Sequence, residues 1–138
     1  MVNDRSFDSI NVGDKASFSK TISEADIYGF AGITGDFNPV HVDAKFAGES
    51  RFKQRIAHGM LTASLISTVL GTDLPGANTI YMSQEAKFTA PAYIGDTLTA
   101  TVEVLEKRED KNILVLKTTV VNQDDVMVVD GQAKVIKA

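Results

Sequence analysis

The chain has 138 residues, a single domain's length, with 43% hydrophobic and 23% charged residues and a formal net charge of −4. That composition belongs to a globular chain with a real core, and the acidic balance without a basic stripe argues against a nucleic-acid binder. The absence of cysteine excludes disulfides, thiolate nucleophiles and cysteine-based metal sites, and with no signal-peptide pattern in "MVNDRSFDSI" and no membrane-length apolar run, a cytoplasmic protein is expected.

In chain order, "VGDKASFSKTI" (Val12 to Ile22) alternates loosely and predicts a first strand. Ser23, with Asp26 three residues on, is a capping-box signal for a helix start. Ile27, Phe30, Ala31 and Thr34 share one face of that helix, and Gly35 is its natural stop. The following Asp36-to-His41 segment is expected to be a stiff, non-helical turn, and "DAKFAGESRF" a short helix and polar loop. Residues 57–71, "AHGMLTASLISTVLG", predict a helix. Its apolar residues Met60, Leu61, Ala63, Leu65, Ile66, Val69 and Leu70 run around almost the whole circumference, so other structure must enclose it. Gly71 is its expected C-cap, with Pro75 beyond.

The remainder reads as sheet. "TIYMSQEAKFT" comes first, then "DTLTATVEVLEKRE", in which Leu98, Ala100, Val102 and Val104 alternate with polar neighbours. "NILVLKTTVVN" and "VMVVDGQAKVIK" follow, separated by polar hairpin loops. Asp130-Gly131 fits a hairpin turn, but the tail beyond is short, so a bulge inside one long last strand is expected. The fold class is α+β, an enclosed helix covered by an antiparallel sheet whose long edges suggest pairing with a second copy.

"ITGDFNPVH" concentrates the chemistry. Pro39 fixes its own φ and pushes Asn38 toward extended geometry, while Gly35 frees the helix exit. A turn so stiffened can hold the Asp36 carboxylate and the His41 imidazole on one water molecule, and the imidazole exchanges protons near neutral pH. Asn38 then orients one of them or shapes the turn. The plainer alternative makes Asp36 a turn former and His41 a packing residue. A metal site would need His58 or Asp43 as a third ligand and is not expected. "AHGML" puts Gly59 in the first turn of the buried helix, where backbone N–H groups lack intrahelical partners and an oxyanion fits. Close helix–sheet packing is the other reason for a glycine there. His58 is read as a residue at a helix start with a local hydrogen bond, without a catalytic role.

"FAGITGDFNPVHVDAKFA" resembles the signature of the R-specific enoyl-CoA hydratases, the hydratase 2 or MaoC-like group. "IAHGMLTASLIS", "IYMSQEAKFTAPAYIGDTLTATVEV" and "REDKNILVLKTTVVNQ" are similar to later segments of the same family, in order. The resemblance implies a hot-dog fold and reversible syn addition of water to a trans-2-enoyl-CoA, giving an (R)-3-hydroxyacyl-CoA. It implies that Asp36 and His41 are catalytic, that the Gly59 N–H polarises the thioester carbonyl, and that Asn38 and Ser67 support them. It implies no metal and no cofactor, coenzyme A being the handle of the substrate, and at least a homodimer. Lys53, Arg55 and Lys87 are candidate cations for the coenzyme A phosphates; solvated surface charge is the other reading of each. The rival functions are a 3-hydroxyacyl-acyl-carrier-protein dehydratase, a hot-dog thioesterase and a noncatalytic acyl-binding subunit. The last would be marked by loss of Asp36 or His41, and both are present.

Overall fold

The computed structural model describes residues 1–138. β1 (Lys15–Thr21) leads into α1 (Glu24–Thr34), followed by α2 (Pro39–Val42), α3 (Ala44–Glu49) and α4 (Gly59–Thr72). Four strands complete the chain: β2 (Thr79–Phe88), β3 (Thr97–Arg108), β4 (Ile113–Val121) and β5 (Met127–Lys137). The strands form one antiparallel sheet in the order β1-β3-β4-β5-β2. α4 packs against all five strands. This is the hot-dog arrangement, a curved sheet wrapped around a long helix.

The core is one cluster of 23 buried residues. Leu61, Leu65, Ile66, Val69 and Leu70 supply the helix side, and Leu98, Ala100, Val102 and Val104 the alternating inner positions of β3. Burying each large aliphatic side chain is worth about 1.5–3 kcal/mol, so α4 and the concave face of the sheet stabilise each other.

Local signals decide several boundaries. The Ser23 side chain accepts from the Asp26 N–H, and the Asp26 carboxylate accepts from the Ser23 N–H, closing the capping box at the start of α1. Gly35 ends α1 at φ +80°, a left-handed conformation that glycine adopts without strain.

Four expectations are corrected. The Asp36-to-His41 segment is partly helical, because Pro39 occupies the first position of α2 and the Asn38 side chain caps it by accepting from the Val40 N–H. Gly71 is not a cap; α4 continues to Thr72 and is capped at Asp73. α4 is not enclosed all round either, since Met60, Ser64, Ser67 and Gly71 form an exposed stripe along one face. Finally, β5 is one strand as expected, but its pairing with β4 is regular at Asp130-Gly131 and shifts near Val128 instead. Gly131 has a different cause: a Cβ there would stand 1.9 Å from the Glu85 carbonyl oxygen on β2.

Candidate active site

α1 and the one-turn α2 meet the start of α4, and the short loop between the first two carries Asp36. Its backbone N–H donates to the Thr34 hydroxyl at 3.2 Å, while its carboxylate accepts from the Asn38 N–H at 3.1 Å. The carboxylate is thereby fixed to the loop that bears it, although Asp36 itself is exposed. His41, one turn further on, is buried at 8% exposure. Its Nδ1 donates to the Ile56 carbonyl at 2.8 Å. A carbonyl only accepts, so the neutral ring carries its proton on Nδ1 and presents an unprotonated Nε2. Burial pushes the His41 imidazole below its ordinary value, opposed by its bond to the Ile56 carbonyl. Of the nearby charges, His58 adds to the lowering and Asp36 opposes it.

His58 is the N-cap residue of α4 and is almost completely buried, at 2% exposure. Its Nε2 donates to the Asp36 backbone carbonyl at 2.9 Å. Its ring stacks on His41 with centroids 3.9 Å apart and planes 27° apart, and Phe30 packs against it at 4.9 Å. Its Nδ1 is buried without a hydrogen-bond partner. Ligating atoms of Asp36, His41 and His58 lie within 4.8 Å of one another. Each imidazole donates one ring N–H to a backbone carbonyl and keeps its other nitrogen free, an arrangement that metal-ligating histidines share.

Asp36, His41, His58 and Gly59 line one cavity of about 450 Å³, walled by Phe30, Thr34, Met60 and Phe88. Gly59 is the first residue of α4, so its N–H has no intrahelical acceptor and lies at the positive end of the helix dipole. A Cβ on Gly59 would meet the Phe88 ring at 3.0 Å. Two further recesses adjoin this cavity. One, about 420 Å³, shares Phe30 and Met60 with it and is lined also by Ser64, Ser67, Tyr81 and Gln84. The other, about 310 Å³, shares Gly59 and Phe88 and carries Arg51 and Thr62.

The fold therefore brings Asp36, His41 and Gly59 together and leaves other expected residues apart. The Asn38 side chain shapes the turn, and it is the Asn38 backbone that touches Asp36. Ser67 lines the neighbouring recess rather than the Asp36 cavity. Lys53 is exposed in the loop before α4, at φ +66°. Arg55 is engaged by Glu24 at 3.0 Å and by the Tyr28 hydroxyl at 2.8 Å. Lys87 lies in a polar surface recess with Glu85 and Asp130. Arg51, which composition alone does not distinguish from other loop cations, is the one cation lining the cavities next to Gly59. His58, expected to make a local hydrogen bond at the helix start, bonds instead to the Asp36 carbonyl 22 positions away.

The model of the MaoC-like domain matches residues 9–125. The chain belongs to the MaoC-like family. Among MaoC-like relatives, an (R)-specific enoyl-CoA hydratase of Rhodospirillum rubrum is 50% identical over 130 residues, covering 94% of this chain and 90% of the relative. An (R)-specific enoyl-CoA hydratase of Aeromonas caviae is 45% identical over 127 residues, covering 92% and 95%. The solved structure of the R-hydratase PhaJ1 from Pseudomonas aeruginosa, unliganded, superposes with a TM-score of 0.94 at 45% identity, covering 99% of this chain and 87% of that one.

Proposed function

We propose that the protein is an (R)-specific enoyl-CoA hydratase, adding water reversibly to a trans-2-enoyl-CoA. The single observation that carries the reading is the shared cavity: an Asp36 carboxylate, the unprotonated Nε2 of His41 and the start of α4 at Gly59.

The chemistry follows from those groups. Water donates one hydrogen bond to the Asp36 carboxylate and one to His41, which leaves an oxygen lone pair for C3. As the O–C3 bond forms, Asp36 takes the water proton, and the C2=C3 pair moves onto the thioester oxygen. The Gly59 N–H and the α4 dipole steady that oxyanion; a donor so placed is worth about 3–4 kcal/mol. The enolate then collapses, and C2 regains a proton from the same acid–base pair, on the same face. Every bond made or broken is served by these residues, so the step requires no metal or redox group.

The thioester sits at Gly59, where the recesses join. The acyl chain extends past Phe30 and Met60 toward Ser67, and the coenzyme A arm past Phe88 toward Arg51. The active form is a homodimer built on β2. That strand is a sheet edge with Ile80, Tyr81 and Met82 exposed, and apolar edges of this kind are ordinarily covered. A cytoplasmic location belongs to the same proposal.

Purified protein mixed with crotonyl-CoA tests it. The enoyl-thioester absorbance is expected to fall without release of free thiol, and Asp36→Asn to abolish the loss in a protein that still folds by circular dichroism. A folded Asp36→Asn variant with full activity overturns the assignment. Thiol release identifies a thioesterase, and strong preference for acyl-carrier-protein substrates identifies the carrier-linked dehydratase.

A further inference from the structure

His58 touches each part of the site and belongs to none of its chemical steps. Its Nε2 faces the Asp36 carbonyl at 2.9 Å, its ring lies flat against His41, and its backbone is the N-cap of the helix that presents Gly59. We propose that His58 is a positioning residue, whose Nε2–H fixes the Asp36 loop while its ring face fixes the orientation of the His41 imidazole. The inference rests on the hydratase reading given above.

Three features favour this role over simple core filling. First, the hydrogen bond joins residues 22 positions apart, so it clamps two separate segments rather than satisfying a local turn. Asp36 lies between the left-handed Gly35 and the cap of α2, and its carboxylate is held only through the Asn38 backbone. A loop so short translates any slip of its main chain directly into the carboxylate. Second, the tautomer is defined. The acceptor is a carbonyl, so the proton resides on Nε2 and Nδ1 carries the lone pair. Third, that Nδ1 is buried without a partner. An apolar core position filled for packing alone would carry no such orphan, because leaving a buried polar atom unpaired is unfavourable. The orphan is tolerated where the other nitrogen and the ring face serve a purpose. His58 does not reach the reacting atoms in this scheme; it acts through Asp36 and His41.

Misplacing a reacting group by about 1 Å can cost about 100-fold in rate. Three substitutions separate the two contacts. His58→Gln places an amide N–H near the Nε2 position. His58→Asn places it one bond short, yet is a favourable helix N-cap, so any loss it causes is not a loss of helix stability. His58→Phe keeps a ring against His41 and removes the donor.

The expected result, with crotonyl-CoA, is a fall in kcat of about 10–100-fold for His58→Asn, which loses both contacts, and smaller falls for His58→Gln, which keeps the donor, and His58→Phe, which keeps the ring, with KM changed less than about threefold. In the wild type, nitrogen-15 NMR of the imidazoles is expected to report the Nε2–H tautomer for His58. Wild-type rates in folded His58→Asn or His58→Phe overturn the proposal, as do equal losses in His58→Gln and His58→Asn or an Nδ1–H tautomer. If His58→Phe fails to fold, the Gln and Asn pair decides. Wild-type protein inactive toward crotonyl-CoA overturns the hydratase reading itself, and the role with it; an active wild type with indifferent variants removes the role alone.

Discussion

The Nδ1 of His41 donates to the carbonyl of Ile56 across 2.8 Å, a bond that leaves the opposite nitrogen bare. The carbonyl belongs to the segment just before α4, so the His41 imidazole is aligned by the same stretch of chain that ends in Gly59.

That alignment sets a pH dependence. Burial holds the His41 imidazole below its ordinary value, about 6.5. His41 is therefore neutral at pH 7, and its Nε2 lone pair is free to accept a hydrogen bond. Activity is expected to be level through neutrality and to decline only on the acid side, below the usual histidine range, as Nε2 takes a proton. The chain contains two histidines, so an NMR titration resolves both. A His41 midpoint above 6.5 contradicts the expectation.

Gly59 carries two explanations, packing and catalysis, and one double substitution separates them. Gly59→Ala pushes a methyl group within 3.0 Å of the Phe88 ring and crowds the position given to the thioester oxygen. The expected loss is about 100-fold in kcat. Adding Phe88→Leu relieves the crowding, so the melting temperature is expected to recover and kcat to remain low. Recovery of both would assign the glycine to packing.

Arg51 stands in the recess beside Gly59, while Arg55 is occupied by Glu24 and Tyr28. Arg51→Ala is expected to raise KM for crotonyl-CoA about 3–10-fold with kcat unchanged, the pattern of lost uniform binding. The wild-type KM is expected to rise with salt more steeply than that of the variant. An unaltered KM at low salt places the phosphates elsewhere.

The edge strand β2 gives a prediction about assembly. Sedimentation is expected to return twice the chain mass of 14.9 kDa for the wild type. Met82→Lys, which puts a charge on the exposed apolar edge, shifts the protein toward the single-chain mass. A wild type that sediments as one chain removes the dimer from the proposal.

Periodicity and punctuation made most of the fold legible. The Ser23 and Asp26 pair, the alternation of Leu98 to Val104 and the apolar content of α4 each act over a few residues, and each is where its pattern places it. The misses share a non-local cause. Gly131 is a glycine because the Glu85 carbonyl approaches from a strand about 46 positions away, which no local rule sees. The open stripe at Ser64 and Ser67 depends on where the sheet stops wrapping the helix. That Asp36, His41 and Gly59 share one cavity was readable, because the motif segment and the helix start mark them. His58 adjoins Gly59, yet its bond to Asp36 exists only after α1 and α4 have packed. Among the cations, the sequence displays the charges of Arg51, Lys53, Arg55 and Lys87 but not that Glu24 claims Arg55.

Gly59 and Phe88 border both the Asp36 cavity and the Arg51 recess, and Phe30 and Met60 border both the Asp36 cavity and the Ser67 recess. A thioester anchored at the first junction divides its substrate into halves read by different walls. Selection among acyl lengths and selection among carriers then become separable traits. In the binding mode proposed above, drift at Tyr81 or Ser67 retunes the former and drift at Arg51 the latter, while the reacting carbons keep their address.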